Sequence, residues 1–315
     1  MTWFSAITPR LAVGAAFLCG LAACTSGTGT TTTEPGTTST ETITTTTTVG
    51  PTEPETTTTE TSTTATTTQP ALPDTFVTVG NTCALGYWDG AWKGDDDFPV
   101  EGGEEYQVVR LDEPITTTIG SEPRTHCEPL DLVSVELDPG IPGDFLEVDA
   151  IAIQSGDVVR PHKVEMLGTS LPAYLTATSE LLETRVPGIP IINITQVIRT
   201  DLEGDGVDEV IVAATTIPDD LISAQVGDYS IVYLRKVIEG EIQTAILGES
   251  IIDDLDNLFQ GLVIFEVSAV ADLNGDGKME IVLNGTVWEG AILQAWEYVN
   301  DDLGPVEALI CGCGS

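Results

Sequence analysis

Beyond about residue 75 the chain is a series of short apolar runs broken by Gly, Pro and Asp. Runs at 106–111, 132–137, 148–153, 210–214, 229–238, 263–270 and 280–283 are rich in Val, Ile and Thr. Their length, β-branched content and flanking turn residues predict strands. Helical periodicity is confined to 171–184 and 253–259. The pattern predicts an all-β head over 75–315, long enough to bury a sizeable core as one domain or two smaller units. Residues 25–70 carry almost no apolar side chain, and more than half of them are threonine. Such a segment cannot bury enough surface to offset its ordering entropy, so a disordered, extended linker is expected. Its reach lies between roughly 40 Å as a flexible coil and about 140 Å as polyproline II.

The first residues follow a third pattern. Arg10 precedes a short apolar run at 11–18, and small residues lead into Leu21-Ala22-Ala23-Cys24. The run is too short to span a bilayer and reads as an export signal. Leu at −3, small residues at −2 and −1, and Cys at +1 resemble the lipobox of bacterial lipoproteins. The resemblance implies that 1–23 is a signal peptide and that Cys24 is the lipid-modified first residue of the mature chain. A multiply acylated cysteine anchors stably, whereas a single chain anchors marginally. The expected organisation is a lipidated Cys and Thr-rich linker at 24–74, then the head. No later segment reads as a transmembrane helix, so membrane attachment is expected through the lipid alone.

Charge narrows the partners. The formal net charge is −39, from 50 acidic against 11 basic residues. Loss of Arg10 with the signal leaves the mature chain at about −40. This argues against nucleic acid and anionic headgroups as partners and favours divalent cations, basic partners or simple solubility.

Two segments of the head share one register. They are Asp201-Leu-Glu-Gly-Asp-Gly-Val-Asp-Glu209 and Asp272-Leu-Asn-Gly-Asp-Gly-Lys-Met-Glu280, the second beginning 71 positions after the first. Each lies between two strand-like runs. Calcium needs six to eight oxygens at about 2.3–2.6 Å. Side chains at positions 1, 3 and 5 of a tight loop converge on one point, and Gly at 4 and 6 permits the turn. A carbonyl at 7 and a carboxylate at 9 complete the shell. Two Ca²⁺ sites are therefore expected. Asp201, Glu203, Asp205, Glu209 and the Val207 carbonyl form the first; Asp272, Asn274, Asp276, Glu280 and the Lys278 carbonyl form the second. An EF-hand would need a bidentate Glu at position 12 and flanking helices; here position 12 is Val212 or Leu283.

The loops resemble the calcium half of FG-GAP or VCBS-type repeats, found in integrin α-chain propellers and bacterial surface proteins. The resemblance covers about a dozen residues twice and is expected to extend over 190–313. It implies a small or irregular β-propeller-like head, with a β-sandwich carrying inserted calcium loops as the alternative. Glu203 departs from the usual Asp or Asn at position 3, and the Phe-Gly and Gly-Ala-Pro signature is absent. A third, degenerate copy is suggested at 132–153, where ligand positions are lost.

The head has four cysteines, Cys83, Cys127, Cys311 and Cys313. In an exported domain these suggest two disulfides. Because Cys311-Gly-Cys313 is a very tight loop, each of its cysteines is expected to join Cys83 or Cys127. Cys83–Cys127 with Cys311–Cys313 is the other arrangement.

Catalytic signals are thin. His126 and His162 sit among prolines, and no nucleophile elbow, zinc helix or phosphate loop occurs. Trp88 and Trp92 could stack on a sugar, although a packed aromatic turn is the plainer reading. The expectation is a non-catalytic surface module that binds calcium and a protein or glycan ligand. A secreted hydrolase with structural calcium is the alternative.

Overall fold

The apolar runs at 210–214, 229–234 and 281–283 lack polar alternation, the mark of strands covered on both faces. A computed structural model of the chain describes residues 76–80, 83–94, 98–126, 132–141, 150–154, 163–186, 188, 190–217, 224–254, 261–287, 290–299 and 302–314. All of these lie in one unit, Thr66–Ser315. The signal, Cys24, the linker, Cys127, His162 and Asp95-Asp96-Asp97 lie outside the described residues.

The strands are β1 Phe76–Val79, β2 Ala84–Trp88, β3 Trp92–Lys93, β4 Glu105–Arg110, β5 Thr116–Gly120, β6 Arg124–His126, β7 Leu132–Ser134, β8 Leu137–Asp138 and β9 Ala150–Gln154. They continue as β10 Glu165–Met166, β11 Ile194–Thr200, β12 Glu209–Thr215, β13 Tyr229–Ile238, β14 Glu241–Ile251, β15 Ile264–Ala271, β16 Glu280–Val287, β17 Gly290–Val299 and β18 Asp302–Gly314. One helix, α1 Pro172–Glu183, interrupts them. The described residues are all-β apart from this helix. Pro172, near its start, suits a helix N-terminus because its missing N–H would have no intrahelical partner there. Asp253 and Asp254 are not helical, and 255–259 lies outside the described residues.

Neighbouring strands pair antiparallel throughout. The first sheet has seven strands in the order β3-β2-β1-β9-β4-β5-β8. The second is β10-β11-β12-β13-β14 and the third is β15-β16-β17-β18, both with sequential neighbours. β6 and β7 form a separate ribbon.

Side-chain alternation shows how the sheets stack. In β13, Val232 and Leu234 join Ile211 and Ala213 of β12 against Ile281 and Leu283 of β16. Tyr229, Ile231 and Tyr233 point the other way, toward Leu175, Leu181 and Leu182 of α1. In the third sheet, Val282, Leu293 and Ala295 face Leu85, Val109, Ile151 and Ile153 of the first. The third sheet thus lies between the first and the second, and α1 covers the outer face of the second. Polar contacts fix this order. A bulge between Val267 and Ala269 accompanies a pair of hydrogen bonds with Gln196 of β11, whose amide oxygen accepts the Val267 N–H at 2.8 Å and whose amide nitrogen donates to the Val267 carbonyl at 3.1 Å. Thr178 of α1 and the Tyr233 hydroxyl share a buried hydrogen bond of 2.8 Å.

Cys83 and Cys311 form a disulfide, with Cα atoms 6.2 Å apart. It joins the beginning of the head to its last strand and excludes the arrangement built on Cys83–Cys127. The strands described within 132–153 do not repeat the pairing of the two loop hairpins. Its β8 pairs with β5 and its β9 with β1 and β4, whereas the strands flanking each loop pair with each other. The expected strand at 132–137 is also split into β7 and β8, which pair in different sheets. Among the described residues the sheets close into neither a barrel nor a propeller ring, and no helix is long and apolar enough to cross a membrane.

Candidate metal centre

Each loop joins the first two strands of a meander: 201–208 connects β11 to β12, and 272–279 connects β15 to β16. The backbone follows one path in both. Gly204 and Gly206 have φ of 72° and 85°, and Gly275 and Gly277 have 79° and 87°. These left-handed conformations strain any side chain with a Cβ, so glycine belongs there.

The acids organise the turn in the same way. Asp201 accepts the N–H groups of Gly204 (2.7 Å) and Asp205 (3.1 Å) on Oδ1, and that of Gly206 (2.8 Å) on Oδ2. Asp272 accepts those of Gly275 (2.5 Å) and Asn274 (3.3 Å) on Oδ1, and that of Gly277 (2.9 Å) on Oδ2. Oδ1 of Asp205 and of Asp276 accepts the N–H two residues on, at 2.8 Å in both loops. Position 9 closes the loop: Glu209 Oε2 accepts the Leu202 N–H at 2.9 Å, and Glu280 Oε2 the Leu273 N–H at 2.6 Å. The loops also touch, because Met279 N–H donates to the Leu202 carbonyl at 2.7 Å.

Burial makes these acids costly. Glu209 and Glu280 are each 1% exposed. Burial pushes Glu280 well above the usual carboxylate range; the Leu273 N–H opposes this, and the charges of Asp272, Asp276 and Glu297 add to it. Burial also raises Glu209, against the Leu202 N–H and Lys236, with Glu203 and Asp205 pushing it further up. Asp272 is raised by burial too, despite its three backbone donors. Like charges gathered in a poorly solvated place disfavour ionisation unless a cation compensates them.

The loops differ at position 3. Asn274 is nearly buried; its Oδ1 accepts the Asp276 N–H and its Nδ2 donates to Glu280 Oε1 at 3.3 Å. Glu203 is instead bonded to the ammonium of Lys236, on β13. Among the described residues no group of three or more His, Cys, Asp or Glu side chains converges as a metal-holding cluster. In both loops the aspartates are turned onto backbone N–H groups. The donor set that the second loop would offer a cation is of the type Ca²⁺ takes. It is all oxygen, supplied by Asp272, Asn274, Asp276, Glu280 and the Lys278 carbonyl, and no ion pair engages its acids among the described residues. The first loop has the same backbone, but one of its acids is paired with an ammonium.

Lys236 and Glu297 are the neighbours that motif reading missed. Glu297, on β17, accepts the Trp92 indole N–H at 2.5 Å. Trp92 lies edge-on to Trp88 at 4.9 Å, and both pack against the core between the first and third sheets. The two tryptophans form a packed turn rather than an open platform. Arg199, the penultimate residue of β11, pairs with Glu165 and lies 3.5 Å from Asp208. Together with Lys163 and Asp201 they line a cleft of about 350 Å³ beside the first loop.

Comparison of the chain with protein-family models, characterised proteins and solved structures finds no match.

Proposed function

We propose that the chain is an extracytoplasmic lipoprotein, held on the membrane through Cys24. The Thr-rich linker at 24–74 displays a calcium-binding, propeller-like head of FG-GAP/VCBS type, which acts as a non-catalytic binding or adhesion module. The observation that carries this reading is the repetition of one loop geometry at 201–209 and 272–280, down to the glutamate that closes each turn. Buried acids brought together in this way are stabilised by a bound divalent cation, and an all-oxygen donor set selects Ca²⁺ over softer metals. The sequential meanders β11–β14 and β15–β18 support the blade-like reading. Placing each loop between the first two strands leaves the rest of its sheet to pack against neighbours. The large acidic excess leaves a basic protein surface or a neutral glycan as ligand.

Calcium that binds only the folded head stabilises it by mass action. Thermal melts of the full chain in EDTA and in millimolar Ca²⁺ are expected to differ, the calcium form melting higher by several degrees. Superimposable melts would sink the calcium reading of both loops.

A further inference from the structure

The two loops differ most where the third strand of each meander passes them. In the antiparallel ladders Val210 faces Arg235 and Ile281 faces Trp296. One residue further on, the same register sets Lys236 opposite Glu209 and Glu297 opposite Glu280. The repeat therefore places an ammonium against one closing glutamate and a carboxylate against the other.

The ammonium is built into the first loop. It bonds Glu203 Oε2 and lies 4.9 Å from the centroid of the Tyr298 ring. The side chains of Lys236 and Glu203 are only 16% and 12% exposed. Lys236 comes from the second sheet and Tyr298 from the third, so the lysine is enclosed from both sides. Glu203 is one methylene longer than the Asn at this position in the second loop, and its carboxylate reaches the third strand. A divalent cation entering the first loop would have to break a largely desolvated ion pair and then lie beside the displaced positive charge.

We propose that Lys236 is the resident cation of loop 201–209, so that the head takes a single tight Ca²⁺, at 272–280. The proposal rests on reading both segments as calcium loops. It divides their labour: the lysine-held loop is formed without metal and, through the Leu202 carbonyl that accepts the Met279 N–H, braces the loop that needs metal.

Calcium alone, titrated into the full chain by calorimetry with stoichiometry read from native mass spectra, tests this. Wild type is expected to bind one tight ion, and Lys236→Met two, with the first loop's affinity rising about tenfold or more as the competing charge is removed. Lys236→Arg, which keeps the charge, is expected to stay at one. In an Asp276→Asn background, which disables the second loop, the count is expected to fall to none, and Lys236→Met restores one. Two tight ions in wild type would overturn the proposal without recourse to any variant. A folded Lys236→Met that gains no ion would overturn it too. If wild type binds none and Lys236→Met gains one, the role of Lys236 stands while the calcium reading of 272–280 fails. No binding by either defeats both readings.

Discussion

At the residue scale the costliest feature is Glu280, a carboxylate that is 1% exposed and surrounded by Asp272, Asp276 and Glu297. Its folded pKa lies above its unfolded value. Below the unfolded pKa the group is protonated in both states and costs nothing. As pH rises through the folded pKa the native state loses a proton it held more tightly than the unfolded chain, and stability falls. Glu209 and Asp272 shift the same way. The metal-free head is therefore predicted to melt higher near about pH 5 than near about pH 8. Under the calcium proposal the ion binds the ionised acids, so it should reduce or reverse that trend. Glu280→Gln keeps an acceptor for the Leu273 N–H and removes the charge. It should flatten the metal-free profile and abolish calcium stabilisation at the second loop. Melts in EDTA across this range check both, and an unchanged slope in the variant would show that Glu280 is not the group responsible.

At the element scale each loop is a turn that only glycine can complete. Gly277 has φ of 87°, and a Cβ added there would meet nothing within 4 Å. The cost of Gly277→Ala is thus conformational rather than steric, about 1–2 kcal/mol for an L-residue held left-handed. The turn also aims Asp272 at the Gly277 N–H, so Gly277→Ala is predicted to weaken calcium binding as well as stability. Urea denaturation with and without calcium measures both; a variant as stable as wild type would mean that the loop backbone relaxes freely. Gly248 and Gly285 serve a different purpose. A Cβ at either would lie 2.9 Å from a packed side chain, Phe265 or Val263 respectively. Gly248 lets the second sheet close on Phe265 of the third, and Gly285 leaves room for Val263 and Phe265 within the third.

At the scale of the whole molecule, long-range ties hold the layers together. The Cys83–Cys311 disulfide closes a loop of 228 residues, and the chain-entropy account gives such a closure about 5 kcal/mol. Such bonds persist in oxidising compartments, which accords with the proposed export. The proposed membrane attachment belongs to this scale as well. Under the lipid-anchor proposal Cys24→Ser removes the thiol that takes the lipid, and it is predicted to move the protein from the membrane fraction into the soluble fraction. Retention in the membrane after that change would defeat the lipid-anchor proposal.

The sequence by itself was enough for what lies within a few residues. Strands at 210–214 and 229–238, the helix at 171–184 and the paths of both loops were legible because β-branched runs, Gly at positions 4 and 6 and Asp at position 1 act over one turn. The mutual bonds of Asp201 and Gly206, or of Glu280 and Leu273, follow from such spacing. Only the tertiary structure decided what meets across the fold: the third sheet between the other two, the disulfide partner of Cys311, and the pairing of β8 and β9 with other strands rather than with each other. It also set Lys236 against Glu209 and Glu297 against Glu280. The reason is physical. A motif encodes local backbone geometry, whereas the charge that faces a loop comes from a strand returning later in the chain, and its register is set by packing on both faces of the sheet.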